Sequence, residues 1–236
     1  MKKLFILICF YIFITTLNAF EMIKIPSASF NREVDGKVQT VSLSSFYISD
    51  TNITVREWTD YLRKSGKSKA KISFWRGKLI SSLNNDVAIE INENWPAYYI
   101  SFHEVVEFCN WQSIKDGLEP VYEISNDHSV QIKIRDKANG YRVMTKAEWE
   151  YLSGIYTEEW SKEKLLKYGC FWDNNRLSSE TFISPVPVKS FQKDAFGLYD
   201  IVGTINEFLW DFYNEETWSQ FIENPKGEVT YIPDEN

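Results

Sequence analysis

The stretch NGYRVMTKAEWEYLSG, from Asn139 to Gly154, joins an apolar extended segment to a short helix within a few residues. Thr145, followed three residues later by Glu148, forms a capping box, in which each side chain bonds a backbone N–H that the first helical turn leaves unpaired. Gly154 then closes the helix, because glycine readily adopts the left-handed conformation found at helix ends. The stretch predicts a strand-like segment that turns sharply into a capped helix.

The same capping box opens two further predicted helices. Thr54 and Glu57 start TVREWTDYLRKSG, and Ser101 and Glu104 start SFHEVVEFCNWQSIKDG. Apolar residues recur at helical spacing after each cap, which predicts one buried face on each helix. Ser101 is therefore interpreted as an N-cap and not as a nucleophile, because no histidine and carboxylate accompany it in a recognisable pattern.

Two segments have the alternation of polar and apolar residues that is typical of strands. They are VQTVSLSSFYIS, residues 38–49, and SVQIKIR, residues 129–135. Strands and helices follow one another in a mixed order, without internal repeats and without regular alternation. This order favours one α+β domain.

Composition narrows the classes of function. Of the 236 residues, 44% are hydrophobic and 16% aromatic, which is enough for a packed core. The net charge of −7, with no run of Lys or Arg after the first residues, gives a nucleic-acid partner little support. Only His103 and His128 supply imidazole, so a three-histidine metal site within this chain is excluded.

The N-terminus reads MKKLFILICFYIFITTLNAFEM. Two lysines precede a short apolar run and a plausible cleavage site at Leu17-Asn18-Ala19, which is typical of a secretory signal peptide. We expect residues 1–19 to be removed and the mature protein, residues 20–236, to be periplasmic or secreted. The alternative is an uncleaved anchor, and only in that case is a membrane expected as a partner.

Export leaves two cysteines, Cys109 and Cys170. They could pair in an oxidising compartment, although two cysteines do not make a disulfide framework. Cys109 falls on the inner face of a predicted helix, which favours a buried free thiol.

Four segments, in this order, carry a family resemblance: YISDTNITVREWTDYL, YYISFHEVVEFCNWQS, NGYRVMTKAEWEYLSG and AFGLYDIVGTINEFLWDFY. Together they resemble the signatures of formylglycine-generating enzymes and sulfatase-modifying factors, with Met144 where that family usually has proline. The resemblance implies a loop-rich α+β fold related to C-type lectins over residues 20–236. It also makes Glu148, Trp149 and Tyr151 scaffold residues, used for capping and packing, and not catalytic groups.

The resemblance also indicates what to expect of the chemistry. Catalytic members oxidise a sulfatase cysteine to formylglycine with copper, held by two cysteines in a C-terminal section that follows an R-G-G-S-W segment. Here no cysteine follows Cys170, and NPKGEVTYIPDEN, residues 224–236, resembles the turn that precedes that section. The resemblance therefore implies that the C-terminal catalytic section is missing, that no catalytic residue can be assigned and that this chain alone does not bind copper. Omitting that section should expose apolar surface.

A metal site of another kind is implied by YDIVGTINE, residues 199–207. In the resembled family this segment holds a structural calcium through two side chains and two backbone carbonyls, which here would belong to Asp200, Glu207, Gly203 and Ile205. Oxygen donors of this type suit a hard cation. The alternative is an ordinary turn with two solvated carboxylates. A second ion bound through Asn174 or Asn175 is a weaker hypothesis.

Three functions remain open at this point. The favoured one is an exported, non-catalytic member of the family, a pseudoenzyme that acts as a binding or accessory module for an unknown protein or glycan partner. The second is part of a split or truncated formylglycine-generating oxidase, whose thiols a second polypeptide would supply. The third is a lectin-like carbohydrate or peptide binder, which rests on analogy of fold.

Overall fold

The computed structural model describes residues 21–34, 36–82, 90–124, 132–134, 137–155, 159–171, 173–174 and 185–211. The predicted signal peptide, Asn175 and the segment 224–236 lie outside the described residues. Within the described ranges, no helix combines the length and the apolar character that a membrane crossing needs.

The strands form three two-stranded antiparallel sheets. The pairs are β1 (Met22–Ile25) with β4 (Phe46–Ser49), β2 (Ala28–Val34) with β3 (Lys37–Leu43), and β5 (Tyr122–Ile124) with β6 (Ile132–Ile134). The segment 38–49, predicted as one strand, is thus two strands in different sheets, and that prediction was wrong. The chain leaves one sheet at Ser44 and Ser45 to reach the other, and these two exposed serines shift the alternation of buried side chains by one position.

Five helices complete the described part of the fold. They are α1 (Val55–Lys64), α2 (Lys69–Ser82), α3 (Phe102–Lys115), α4 (Lys146–Ser153) and α5 (Lys162–Tyr168). The three capping boxes at the starts of α1, α3 and α4 are all present, which confirms the predicted helix starts. Gly154 closes α4 with φ of 64°, as predicted. The sequence analysis did not predict α2, which lacks such a capping box.

An aromatic cluster holds α1, α2 and α3 together. The Trp58 ring on α1 lies 5.0 Å from that of Tyr61 and 5.4 Å from that of Phe108 on α3, centroid to centroid. Trp75 on α2 joins the same cluster, with 6.4 Å between its ring centroid and that of Trp58. These rings are buried, so the many aromatic residues of this region serve the core.

Helix α4 connects two of the sheets to the C-terminal loops. Leu152 packs with Ile25 of β1 and with Leu198, while Ala147 packs against Phe30 and Val41 of the β2–β3 hairpin. The fold is therefore an α+β arrangement of small sheets and capped helices joined by long loops, as predicted. This packing brings residues 198–210 against α4 and the β1–β4 sheet.

Candidate functional site

The corner between Arg142 and α4 is built around an ion pair in which Glu148 is buried and Arg142 is partly exposed to solvent. Arg142 donates two hydrogen bonds to Glu148, one from each terminal nitrogen, and the Nη1–Oε2 distance is 2.8 Å. The backbone N–H of Thr145 donates to the same carboxylate at 2.8 Å, which completes the cap. Burial alone would raise the pKa of Glu148, but the hydrogen bonds from Arg142 and the cap lower it below its usual value. Glu148 is thus a fully bonded carboxylate with no oxygen left for chemistry.

Neighbouring groups fix this corner from two sides. The Tyr122 hydroxyl accepts a hydrogen bond from the backbone N–H of Val143 at 2.8 Å, and the backbone N–H of Trp210 donates to the Met144 carbonyl at 2.9 Å. The rings of Tyr122 and Trp210 stack with centroids 5.1 Å apart. The predicted capping role of Glu148 is confirmed.

A hollow of about 1000 Å³ lies beside the corner. It is bounded by β1, β4, the loop before α3, α3 itself and residues 198–208, and most of its lining side chains are apolar. The inner lining includes Phe46, Ile48, Val105, Met144 and Ile201. A cavity of this size and character is typical of a ligand or peptide site.

Large aromatic side chains stand at the opening of the hollow. Tyr47, Tyr99 and Phe208 line it and are nevertheless 61%, 55% and 47% exposed, respectively. Exposed rings that adjoin an apolar hollow form a contiguous apolar surface, which in a soluble domain marks an interaction site. Sequence analysis did not single out these residues, because they lie in three separate segments of the chain and come together only in the fold.

Tyr99 also has an unusual backbone conformation. Its φ is 55°, a left-handed value that bulky residues rarely adopt. The neighbouring Tyr98 is held in place, since its carbonyl accepts a hydrogen bond from Trp75 Nε1 at 2.9 Å and its ring lies 5.2 Å from that of Tyr99. Strain of this kind, of the order of 1–3 kcal/mol, concentrates at functional sites.

Asp200 and Glu207, at the two ends of one turn, contact the adjacent residues Thr51 and Asn52. Asp200 Oδ2 accepts hydrogen bonds from the Thr51 hydroxyl at 3.1 Å and from the Lys189 N–H at 2.8 Å. Glu207 Oε1 accepts a hydrogen bond from the side-chain amide of Asn52. The structure therefore places both predicted metal-binding carboxylates beside the Thr51–Asn52 segment. Asn52 is a neighbour that sequence analysis missed, because it lies far away along the chain.

Two oxygen atoms where this turn meets the Thr51–Asn52 segment stay unsatisfied. Asp200 Oδ1 and Asn52 Oδ1 are buried and have no hydrogen-bond partner among the described residues. Burial raises the pKa of Asp200, and burial together with the nearby Asp200 charge raises the pKa of Glu207 to about 7. Asp200 is only 2% exposed, so the alternative of two solvated carboxylates is wrong for that residue.

The possible metal ligands at this turn are all oxygen atoms. Within the described ranges, no cluster of three or more His, Cys, Asp or Glu residues could hold a metal, so two carboxylates would need amide and carbonyl oxygens beside them. Asn52 Oδ1 is one such atom. Gly203 and Ile205 lie in the same turn, where the Ile205 N–H donates to the Gly203 carbonyl at 2.9 Å. Oxygen donors with unsatisfied lone pairs fit calcium, which accepts irregular oxygen coordination.

Asn174, the residue considered for a second ion, closes the turn after α5. Its amide group donates to the carbonyls of Leu166 and Gly169, and its oxygen accepts a hydrogen bond from the Phe171 N–H at 2.7 Å. These bonds give Asn174 a structural role in that turn.

Cys109 and Cys170 are both buried free thiols. The alternative that they form a disulfide is wrong, and the expectation of a buried free thiol at Cys109 is confirmed. Burial raises the pKa of Cys109 to about 12, so its sulfur stays protonated at neutral pH. A protonated, buried thiol is a poor nucleophile and a poor metal ligand.

Comparison with known proteins gives a consistent result. The family model for the sulfatase-modifying factor enzyme 1-like domain matches residues 15–232. Chaperone protein LppX of Paenibacillus barcinonensis is 26% identical over 219 residues, which cover 76% of this chain and 69% of LppX. Formylglycine-generating enzyme of Mus musculus is 26% identical over 153 residues, covering 60% of this chain and 34% of the enzyme, so the chain spans about a third of it.

A solved structure has the same fold. Treponema denticola variable protein 1 superposes with a TM-score of 0.67 at 21% sequence identity, covering 90% of this chain and 80% of that protein. At this identity the likeness concerns the fold alone.

Proposed function

Because the chain belongs to the family of sulfatase-modifying factor enzyme 1-like domains, we propose that it acts as a binding or accessory module whose hollow takes an apolar segment of a client polypeptide. The observation that carries this proposal is the hollow itself. It combines about 1000 Å³ of mostly apolar space with exposed aromatic side chains at its opening. Such a surface loses its contact with water when an extended apolar segment binds, which favours binding.

The state of the thiols supports a binding role over the oxidase role. Copper(I) chemistry depends on thiolate ligands. The two cysteines that the structure describes are buried, and the pKa of Cys109 is raised to about 12. We propose on this basis that the chain does not oxidise cysteine alone. A split oxidase would need both thiols from another polypeptide.

One relative adds support for a polypeptide client. LppX is named a chaperone protein, and a chaperone binds apolar segments that a folded client would bury. The lectin-like alternative is favoured by the exposed rings of Tyr47 and Tyr99, since sugars stack on such rings. The apolar depth of the hollow favours the polypeptide, because a glycan offers few apolar groups to fill it.

An aggregation assay tests this proposal. Insulin aggregates when dithiothreitol reduces it, and we expect the full chain at equimolar concentration to delay the rise in light scattering. A variant with Tyr47→Ser, Tyr99→Ser and Phe208→Ser should lose most of this effect. The control is Val38→Ser with Ile114→Ser, two side chains exposed by 70% and 67% that do not line the hollow.

Two outcomes would overturn the polypeptide proposal. One is no delay by the parent protein, and the other is equal loss in the control variant. Binding to a panel of soluble oligosaccharides, abolished by the triple variant and without any effect on insulin, would establish the lectin-like alternative.

We also propose that the turn from Asp200 to Glu207 holds a structural calcium ion. Its unsatisfied Asp200 and Asn52 oxygens support this, together with the raised pKa values of both carboxyl groups. When bound, the ion would neutralise the two carboxylates. Asn52 and Glu207 also line the hollow, so the ion would stabilise one of its walls. Export with cleavage near Phe20 stays a prediction, which N-terminal sequencing of the protein from its own cells tests.

A further inference from the structure

Strand β4 borders the hollow along one of its edges. All four residues of the strand, Phe46–Ser49, line the hollow, although successive side chains of a strand point to opposite faces of the sheet. A cavity that touches both faces at once lies beside the strand and not above or below it. Of the paired strand β1, only Met22 lines the hollow. The hollow is therefore on the side of β4 that faces away from β1.

The backbone of β4 has polar groups on this same side. The Asp50 N–H donates to the Glu21 carbonyl at 3.0 Å, in register with the β1–β4 ladder. In an antiparallel pair of strands, opposite residues alternate between those that exchange hydrogen bonds and those that do not. Counting back from Asp50, Ile48 also belongs to a bonded pair, whereas Tyr47 and Ser49 belong to non-bonded pairs. The N–H and C=O groups of Tyr47 and Ser49 therefore point away from β1, toward the hollow.

In the part of the chain that the structure describes, these outward groups have no hydrogen-bond partner. Neither Tyr47 nor Ser49 forms a backbone hydrogen bond with a loop, and no side chain bonds their N–H or C=O groups. The Ser49 hydroxyl is engaged elsewhere, since it donates to the Thr51 carbonyl at 2.6 Å. An edge with free N–H and C=O groups pairs with the backbone of another extended chain. The chemistry of the edge therefore selects a polypeptide.

Strand β4 also lacks the charges that protect the edges of sheets. Charged side chains on an edge strand oppose pairing with a further chain. Each of the other described strands carries at least one: Lys24 in β1, Arg32 in β2, Lys37 in β3, Glu123 in β5 and Lys133 in β6. The sequence of β4 is FYIS, which has none. The strand that borders the hollow is thus the described strand without this protection.

The lining of the hollow determines which polypeptide complements this edge. Its charged side chains are those of Arg142, Glu148 and Glu207. Arg142 and Glu148 pair with each other, and Glu207 belongs to the turn proposed for calcium, where it accepts a hydrogen bond from Asn52. The rest of the lining is apolar or uncharged, and it is continuous with the edge of β4. A complementary segment is therefore uncharged as well.

We propose that an uncharged, extended segment of a client polypeptide binds as an added strand at the outer edge of β4. Its backbone would pair with the N–H and C=O groups of Tyr47 and Ser49, while alternate apolar side chains would enter the hollow. This inference rests on the polypeptide-binding function proposed above and adds the mode of binding. Because backbone pairing does not depend on sequence, the site would accept different clients that share an alternating apolar pattern.

A proline substitution at Tyr47 tests this mode of binding. Tyr47→Pro removes the outward N–H, at an edge position where proline is tolerated because the ladder does not use that group. Tyr47→Ser is the matched control, since it also removes the ring but keeps the N–H. The probe is reduced, S-carbamidomethylated insulin B chain, with binding followed by tryptophan fluorescence. We expect Tyr47→Pro to bind it about fivefold more weakly than Tyr47→Ser, because one hydrogen bond is lost.

Amide hydrogen exchange in the parent protein gives an independent measurement that needs no variant. With excess B chain, the N–H groups of Tyr47 and Ser49 should exchange roughly tenfold more slowly than without it, as resolved by NMR. Lys24 is the internal control. It lies opposite Tyr47 in the ladder, so its N–H is on the outer edge of β1, and its exchange should not change.

The results separate this inference from the function on which it rests. No binding of the B chain by the parent, together with no delay of insulin aggregation, would overturn both. Binding by the parent with equal affinities of Tyr47→Pro and Tyr47→Ser, or with unchanged exchange at Tyr47, would overturn the added strand alone. Slow exchange at Tyr47 before any peptide is added would also overturn it, since the edge would already be paired. If that slow exchange required high protein concentration, the partner would be a second copy of the chain.

Discussion

Two acidic corners of this molecule use buried carboxylates in opposite ways. At the first, the carboxylate of Glu148 accepts hydrogen bonds from Arg142 and from the Thr145 N–H, so both of its oxygens are bonded. At the second, Asp200 Oδ1 is buried without a partner among the described residues, beside Glu207. The pKa of Glu148 is lowered, whereas those of Asp200 and Glu207 are raised.

This difference separates a scaffold from a site. A carboxylate that is fully bonded inside the protein stabilises the fold and has nothing left to offer a ligand. A buried carboxylate with an unsatisfied oxygen costs folding free energy until a cation or a proton arrives. Burial alone therefore does not identify a functional acid. The predictions below test the comparison, beginning with the largest expected effect.

Replacing Glu148 with alanine should strongly destabilise the protein. The change removes the buried carboxylate that pairs with Arg142 and that accepts the backbone N–H of the buried Thr145 in the capping box of α4. The weakened cap costs about 0.5–2 kcal/mol and the unsatisfied buried N–H of Thr145 about 1–3 kcal/mol. Urea denaturation followed by tryptophan fluorescence measures the loss.

The matched control is Glu163→Ala on α5. Glu163 is 84% exposed and pairs with Lys167 at i, i+4, so its loss should change the free energy of unfolding by less than about 0.5 kcal/mol. Equal effects of the two substitutions would show that the Arg142–Glu148 corner is not the scaffold described above.

Calcium should stabilise the protein through the second corner. At a calcium concentration about 100 times Kd, binding to the folded state alone adds about 2.7 kcal/mol, or roughly 5–10 °C in melting temperature. The double variant Asp200→Asn, Glu207→Gln should lose this shift, because both negative ligands are gone. Differential scanning calorimetry with and without a chelator measures it.

Asp173→Asn is the control for this shift, since Asp173 is an exposed acid paired with Lys162. A single Asn52→Ala variant sharpens the test, because its side-chain oxygen is one of the two unsatisfied atoms. We expect a smaller shift for that variant than for the parent. No calcium shift in the parent protein would remove the metal proposal.

Replacing Tyr122 with phenylalanine tests the first corner without touching a charge. The Tyr122 hydroxyl is the acceptor for the Val143 N–H, and the ring is only 2% exposed. An unsatisfied buried N–H costs about 1–3 kcal/mol, which equilibrium unfolding in urea measures. Tyr47→Phe, at a residue 61% exposed, should be neutral. A neutral result at Tyr122 as well would mean that another acceptor replaces the hydroxyl.

The first corner could be predicted from sequence because its contacts are local. Thr145, Glu148 and Gly154 lie within ten residues, and a capping box specifies its own hydrogen bonds. The same reasoning predicted the starts of α1 and α3. It failed at residues 38–49, since the alternation of side chains shifts by one position at Ser44 and Ser45, and this shift marks the end of one strand and the start of another.

The second corner and the hollow depend on contacts that are distant in the sequence. Resemblance pointed to Asp200 and Glu207, but Asn52, which donates a hydrogen bond to Glu207, lies 155 residues before it in the sequence. The aromatic residues at the opening of the hollow, Tyr47, Tyr99 and Phe208, come from three separated loops and strands. No local pattern specifies such a meeting, because it follows from how the elements pack.

The two corners should also differ in the pH range where they affect stability. The pKa of Glu148 is lower in the folded than in the unfolded state, so its carboxylate stabilises the fold fully above the pKa of the unfolded state. This stabilisation is lost as the pH falls through the pKa of the folded state. Glu207 has its pKa raised from an ordinary 4.5 to about 7. Between these values the folded state binds more protons than the unfolded state, so stability should fall as the pH rises through that interval.

Without divalent cations we therefore expect a decline in stability between pH 4.5 and 7, caused by Glu207. Because the Glu207 side chain is only partly buried, solvent screening should limit the loss to the order of 1 kcal/mol. Urea denaturation at a series of pH values measures this decline, and Glu207→Gln should flatten it. Saturating calcium should reverse its sign, because calcium binds the deprotonated carboxylates. A decline that persists unchanged in Glu207→Gln would come from another group. The contrast between a lowered pKa at Glu148 and a raised pKa at Glu207 would then be wrong.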